Sequence, residues 1–344
     1  ENSKTNYAFF SSTSTLMEQH FAQMAEEIEE RFLGSNKKVI EIGSNDGIML
    51  QAFSDRKNVL GIEPSYNVAQ VARGKGIETL TEFFTDGLAK KLASEKGKAR
   101  AVLSTNVFLN IIDIHEFMRG VNSLLDEKGI FVTEDPYISN ILEKGSYDQV
   151  YDEHIWYFSL HSLSNLFAQH GFEIFDAAKQ DVHGGSMRVY SARKGVYNQT
   201  ERVLEYLEQE SQQGLTQIDP YIAFSQKVEK NKNKLRTLLN DLKIHGKKIV
   251  GYAAASKGTI VQNYCNIGPE ILDYISDSTP AKQGLYTPGK HIPIVSPEVF
   301  HNDKTVDYAL LGAWNHAKEI MSKEKEFLAR GGRFITHLPT PTVL

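Results

Sequence analysis

With a single cysteine, Cys265, the chain cannot form an internal disulfide, and a cysteine-built zinc site is excluded. No apolar run approaches the ~18 residues that a membrane-spanning helix needs, and no segment has the layout of a secretory signal. There is no basic excess either. Lys and Arg number 38 against 43 Asp and Glu, and the resulting charge of -5 argues against a nucleic-acid partner. The dinucleotide fingerprint G-x-G-x-x-G is missing as well. What is present, 41% hydrophobic and 24% charged residues, is the composition of a soluble globular protein. At 344 residues it is long enough for two cores. A reducing cytoplasm is the expected setting, with neither membrane nor nucleic acid as partner and a monomer or homodimer as the assembly.

Periodicity divides the chain. Leu16, Met17, His20, Phe21, Met24, Ile28 and Phe32 recur at helical spacing and predict a helix over 14–34. Apolar strands are expected at 38–42, 58–63, 100–104 and 129–134, with helical stretches between them, including 66–75 and 115–125. Strand and helix alternating at this spacing predicts right-handed βαβ units and a parallel, doubly wound α/β sheet. Residues 197–243 are rich in Glu, Gln, Lys and Leu, with Pro220 as the main break, and read as a helical connector. Strands at 248–254, 271–277, 306–311 and 331–335 then restart the alternation as a second, smaller Rossmann-like α/β domain. The expected organisation is therefore 1–196, 197–243 and 244–344.

The first strand runs into Glu41-Ile42-Gly43-Ser44-Asn45-Asp46-Gly47. Gly43 and Gly47 allow a tight turn and close approach of backbone to a ligand. Glu63 ends the next strand, where an acid grips ribose hydroxyls. Dinucleotide-binding proteins place a glycine two residues after the first, and here that position is Asn45. The E-x-G-x-x-x-G turn instead resembles motif I of the class I methyltransferases, whose cofactor is S-adenosylmethionine (SAM). On that resemblance Glu41, Gly43, Asn45, Gly47 and Glu63 are cofactor residues, and Asn106, at the end of a later strand, meets the methionine end. Phe83 and Phe84 fall where the adenine is covered, although aromatic residues there also suit a core.

The segment Asp148-Gln149-Val150-Tyr151-Asp152-Glu153-His154 gathers a phenol, carboxylates and an imidazole within a few positions. His154 is the candidate base, because an imidazole titrates near working pH. Glu153 is expected to orient it or raise its basicity. Tyr151 is expected to donate a hydrogen bond to a developing enolate oxygen. Asp152 reads as a solvated or structural acid. A second polar island holds His183, two glycines and Arg188; it suits a sugar pocket, and a Gly-Gly turn between strands equally well.

Taken together, these residues resemble the nucleotide-sugar C-methyltransferases of deoxysugar biosynthesis, including those acting at the 3-position of the tetronitrose precursor. The resemblance runs from the Ser-rich start at 7–12 through 41–50, 61–65, 134–137, 148–159, 183–188, 251–269, 282–293 and 313–317. It implies a SAM-dependent transfer to the carbon beside the ketone of a dTDP- or similar 4-keto-deoxysugar, in which Tyr151, Glu153 and His154 act as base and assistants. The same base would serve an O-methyltransferase acting on a related sugar. The carboxyl-terminal α/β domain is expected to help bind the nucleotide-sugar, with Lys257, Asn263, Lys282 and His291 on matching motifs and His183 and Arg188 lining the sugar pocket. Some members carry a histidine where this chain has Asn110, a further substrate-side position, so the resemblance leaves the sugar open. Zinc is expected only in an amino-terminal module with paired C-x-x-C motifs that this sequence does not contain, and no metal is assigned to the chain.

Overall fold

The computed structural model describes Tyr7 and residues 10–344, apart from the side chain of Thr13; Ala8 and Phe9 of the Ser-rich start lie outside the described residues. Two compact units emerge, and they interleave along the chain. The first comprises residues up to Ile138 together with Ile155–Thr216, and the second comprises Ser139–His154 together with Gln217–Leu344.

In the first unit, β1 (Val39–Ile42) is buried along its whole length between β2 (Val59–Ile62) and β4 (Ala99–Thr105), parallel to both. A short β3 (Thr79–Leu80) lies beyond β2, and β5 (Leu125–Pro136) lies beyond β4. The last two strands, β6 (Phe172–Gln180) and β7 (Ser186–Arg193), form a hairpin, and β7 inserts antiparallel between β5 and β6. The resulting order, β3-β2-β1-β4-β5-β7-β6 with one reversed strand, is the class I methyltransferase sheet. The hairpin's turn is the Gly-Gly turn between strands that the sequence offered as one of two readings of the second polar island, although no strand bounds were expected there.

Helices cover both faces. Before β1 runs α1 (Thr15–Ile28), which buries Met17, Phe21, Met24 and Ile28 and passes into a wider turn over Glu29–Leu33. Then come α2 (Tyr66–Gly74), α3 (Asp86–Lys96) and α4 (Ile114–Leu124). Thr85 and Asp113 accept the free N–H groups that open α3 and α4, as caps should. A short α5 (Ile138–Lys144) follows β5, and α6 (Leu160–Gln169) opens on a Ser159–Ser162 capping box.

The stretch expected as one connector is two helices that pack in different units. The first, α7 (Glu201–Gln212), buries Val203 and Glu210 in the first unit, whereas α8 (Asp219–Ile244) buries Val228, Leu235 and Leu239 in the second. The break is local: Gly214 turns at φ 68°, and Pro220 sits in the first turn of α8, where its missing N–H costs nothing.

The second unit holds the sheet order β10-β9-β8-β11-β12-β13. Its strands are β8 (Ile249–Tyr252), β9 (Ile275–Ser276), β10 (Ile294–Val295), β11 (Tyr308–Leu311), β12 (Arg333–Thr336) and a terminal antiparallel β13 (Thr342–Val343). The helices α9 (Ser256–Tyr264), α10 (Pro297–Asn302), α11 (Ala317–Lys323) and α12 (Lys325–Ala329) alternate with them. Residues 139–154, expected to belong with the amino-terminal domain, pack here because Tyr147, Asp148 and Gln149 are buried against residues of this unit. No helix among the described residues is long and apolar enough to cross a membrane.

Candidate functional site

The parallel strands of the first unit bring Glu41, Gly43, Asn45, Gly47, Glu63 and Asn106 to one edge of the sheet. Gly43 adopts φ 75°, and a Cβ there would lie 2.2 Å from Val107 Cγ2, so only glycine fits. Asn45 and Asn106 take φ 49° and 54°, which asparagine tolerates. Glu63 is held by two backbone donors, Asn45 N–H at 3.0 Å and Ser65 N–H at 2.8 Å. Each of its oxygens keeps a further lone pair for a ribose hydroxyl. The Ser-rich start reaches this turn: Ser11 N–H donates to Asn45 Oδ1 at 3.1 Å, and Ser12 N–H to Asp46 Oδ2 at 3.1 Å.

The polar atoms around the turn fit SAM, which carries hydroxyls, an amino-acid group and a cationic sulfur. Glu41 Oε2, Ser44 Oγ, Asp46 Oδ1 and Ser104 Oγ are buried with no protein hydrogen-bond partner, a condition proteins seldom leave uncompensated. Burial pushes the Glu41 carboxyl well above its usual range, and the neighbouring Glu63 and Asp46 push it further. Of the two aromatic candidates, Phe83 is 48% exposed, whereas Phe84 packs edge-on to Phe117 at 5.0 Å and belongs to the core. Asn110 lies exposed on the turn after β4.

The second polar island is the turn of the β6–β7 hairpin, with His183, Gly184 and Gly185 all at positive φ. Arg188 is not free to line a sugar pocket. Its Nε donates to Glu134 Oε2 at 2.7 Å and its NH1 to Glu27 Oε2 at 3.1 Å, while His20 meets the other Glu134 oxygen at 2.6 Å. Burial alone would raise the Glu134 carboxyl, but His20 and Arg188 outweigh it and hold it low. Beside this network, Asp135 faces inward on β5. Burial, with Glu134 adding to it, raises Asp135 to about 8, even though the backbone N–H of Leu109 counters.

The reactive block lies in the second unit. The His154 Nδ1–H donates to the Gln149 carbonyl at 2.9 Å, which fixes the tautomer with the lone pair on Nε2. Burial lowers its pKa to about 4; the carbonyl opposes this and the Lys257 ammonium adds to it, so the ring is neutral at neutral pH. The Tyr151 ring packs against the imidazole, tilted by 35° with centroids 3.9 Å apart. Glu153 is exposed, and the orienting role expected of it belongs to the Gln149 carbonyl, which no residue pattern announces. The next two residues along the chain, Ile155 and Trp156, donate their N–H groups to the Leu109 carbonyl at 3.0 Å each, inside the first unit.

The other substrate-side candidates divide. Lys257 lies in the first turn of α9 and its charge bears on His154. Lys282 Nζ donates to the Ala254 carbonyl at 3.0 Å, and Asn263 Nδ2 to the Thr259 and Pro288 carbonyls at 2.9 and 3.0 Å, so both act as loop anchors. His291 is exposed in a tight turn at φ 53°.

Comparison with known proteins gives matches along almost the whole chain. A methyltransferase domain matches residues 16–177, and a C-methyltransferase C-terminal domain matches 181–339. C-methyltransferase NovU of Streptomyces niveus is 37% identical in an alignment of 342 positions that covers 98% of this chain and 81% of that protein. Among solved structures, a SAM-dependent methyltransferase from Anabaena variabilis aligns with 50% of this chain and 83% of its own at 14% identity and a TM-score of 0.39. Magnesium protoporphyrin IX methyltransferase from Synechocystis, with bound SAM, aligns with 52% of this chain and 79% of its own at 14% identity and a TM-score of 0.37.

Proposed function

Because the chain belongs to the family of SAM-dependent C-methyltransferases, we propose that it methylates the carbon beside the ketone of a nucleotide-linked 4-keto-deoxysugar, a dTDP-sugar being the first to test. The observation that carries the reading is the placement of His154: a ring neutral at neutral pH, oriented by its Nδ1–H bond to the Gln149 carbonyl, with the Tyr151 phenol ring centred 3.9 Å away.

In this reading His154 Nε2 takes the proton from the carbon α to the ketone. The Tyr151 phenol donates to the oxygen on which the enolate charge develops. The C–H electron pair moves to the enolate and then forms the new carbon–carbon bond. SAM supplies the methyl group on a sulfonium, which leaves as a neutral thioether. Glu41, Gly43, Asn45, Gly47, Glu63 and Asn106 hold the cofactor, so that proximity contributes most of the acceleration and acid–base chemistry the rest. Asn110, His183, Lys257 and His291 serve the nucleotide-sugar, and Asn263 and Lys282 keep the loops of the carboxyl-terminal unit in place for it.

The test is to incubate a panel of dTDP-4-keto-6-deoxysugars in deuterated water with and without SAM, reading products by NMR and mass spectrometry. The expected results are a new carbon-bound methyl group and, without SAM, deuterium at the neighbouring ring carbon. H154A should abolish both while SAM still binds. A methyl group on oxygen with no ring-carbon exchange would overturn the reading in favour of O-methylation.

A further inference from the structure

We propose that Asp148, held by the Trp314 indole N–H with the buried His337 beside it, is a positioning residue that fixes the segment which orients the His154 base. The inference rests on the proposed role of His154 and adds a part to it. All the groups involved lie in the second unit.

Asp148 is fully buried on the short turn Tyr147–Gln149. Trp314 Nε1–H donates to its Oδ2 at 2.6 Å, and His337 Nε2, also buried, stands 3.4 Å from the same oxygen. A carboxylate in such a place is costly unless its partners recover the lost hydration. Here burial would raise the Asp148 carboxyl, but His337, the Lys257 charge and the indole N–H outweigh it and keep it ionised. The preceding residue is pinned too: the Tyr147 hydroxyl lies 3.3 Å from Cys265 Sγ, and its ring packs on Tyr264 and His337. One residue beyond these two anchored side chains lies the Gln149 carbonyl, the acceptor for His154 Nδ1–H.

The sequence motif around Trp314, at 313–317, thereby gains a role outside substrate binding. It is a remote clamp on the tautomer and orientation of the base. An apolar residue could fill the space of Asp148, but a fixed indole–carboxylate bond sets the direction of the segment as well.

Lys257 faces His154 from α9, with Asp148 as its counter-charge. Tyr151 packs against the ring, Asp152 and Glu153 are exposed on its own segment, and His316 also feels Lys257. Burial is the largest influence on the ring, so a loosened segment admits water and raises its pKa from about 4 toward an ordinary value.

The test uses W314F, which removes one N–H and keeps an aromatic ring, and D148N, which keeps the shape. SAM affinity by calorimetry and the melting temperature establish that each variant is folded. The His154 Cε1 proton is then titrated by NMR, assigned by its absence in H154A, and turnover is measured on the sugar that the wild type accepts. We expect the His154 pKa to rise by at least one unit in both variants. The turnover rate should fall by about ten- to a hundred-fold at unchanged KM for SAM, as for a small misplacement of a catalytic group. Folded variants whose His154 titrates as in wild type overturn the proposal. So does a loss of melting temperature with the folded fraction turning over at the wild-type rate, which would make the clamp merely structural. Should no sugar be methylated or exchanged by the wild type, the function reading falls alone, since the titration still decides the clamp.

Discussion

Replacing Asp135 by asparagine should remove a pH dependence of stability that the buried carboxyl imposes on the first unit. An unfolded aspartate titrates at about 3.9. In the fold, burial raises Asp135 to about 8. The folded state therefore holds a proton that the unfolded state has released between these two values, and stability falls as pH rises through that window. A difference of one in pKa corresponds to about 1.4 kcal/mol, so a gap of about four amounts to about 6 kcal/mol. The effect is absent below about pH 4 and complete above about pH 8. The amide introduced in D135N cannot ionise, so the variant should lack this slope; any cost of that amide is the same at every pH. The assay is urea unfolding of both proteins from pH 5 to 8.5, read as the difference between them at each pH. A carbon-13 titration of the aspartate carboxyls, wild type minus variant, locates the group directly. A stability difference that stays flat with pH, or an Asp135 carboxyl titrating near 4, would refute the reasoning.

Three further outcomes are expected. The catalytic rate constant should stay level from pH 5 to 8 as far as the base is concerned, because His154 titrates at about 4; an acid limb near 6.5 in the wild type would show that the ring is not held as described. Gly43→Ala places a Cβ against Val107 and a side chain in left-handed backbone, costing about 2–4 kcal/mol. Its melting temperature and SAM affinity should both fall, and unchanged values would mean that the turn is not the cradle. Arg188→Met leaves Glu134 buried beside His20 without the guanidinium that pairs with it, at about 3–5 kcal/mol; a raised sugar KM at an unchanged melting temperature would restore Arg188 to the substrate.

The sheet of the first unit was legible because its strands are short apolar runs separated by helical spacing, and the turn at Gly43 because only particular residues permit that backbone. The β6–β7 hairpin was legible only as a Gly-Gly turn between strands, one of two readings, and its strand bounds were not, since residues such as Glu173, Asp176 and Lys179 interrupt the apolar alternation of β6. Arg188 read as a pocket cation because sequence shows a charge without its partners, and Glu27 and His20 lie more than 160 positions away. Phe84 and Phe83 are neighbours of one type, and only packing against Phe117 and Gly120 separates core from surface. Glu153 was credited with orienting His154 because carboxylate–imidazole pairs are common; the actual acceptor is a main-chain carbonyl, a group that every residue has. Trp314 and His337 stand far from Asp148 in sequence, and no spacing rule joins them.

The chain passes between its two units three times, at 138–139, 154–155 and 216–217. Most two-domain proteins are joined by one linker, and a single nick there frees each half. Here a cut after Thr216 leaves Ser139–His154 on the amino-terminal fragment although that segment folds with the carboxyl-terminal one, so the two fragments should still migrate together under native conditions. The 16 residues from Ser139 to His154 are spliced into the first unit's sequence and folded with the second. Swapping the carboxyl-terminal unit from another protein by a junction after residue 216 would therefore strand the candidate base among unfamiliar neighbours. Grafts intended to change the accepted sugar should carry that segment with them.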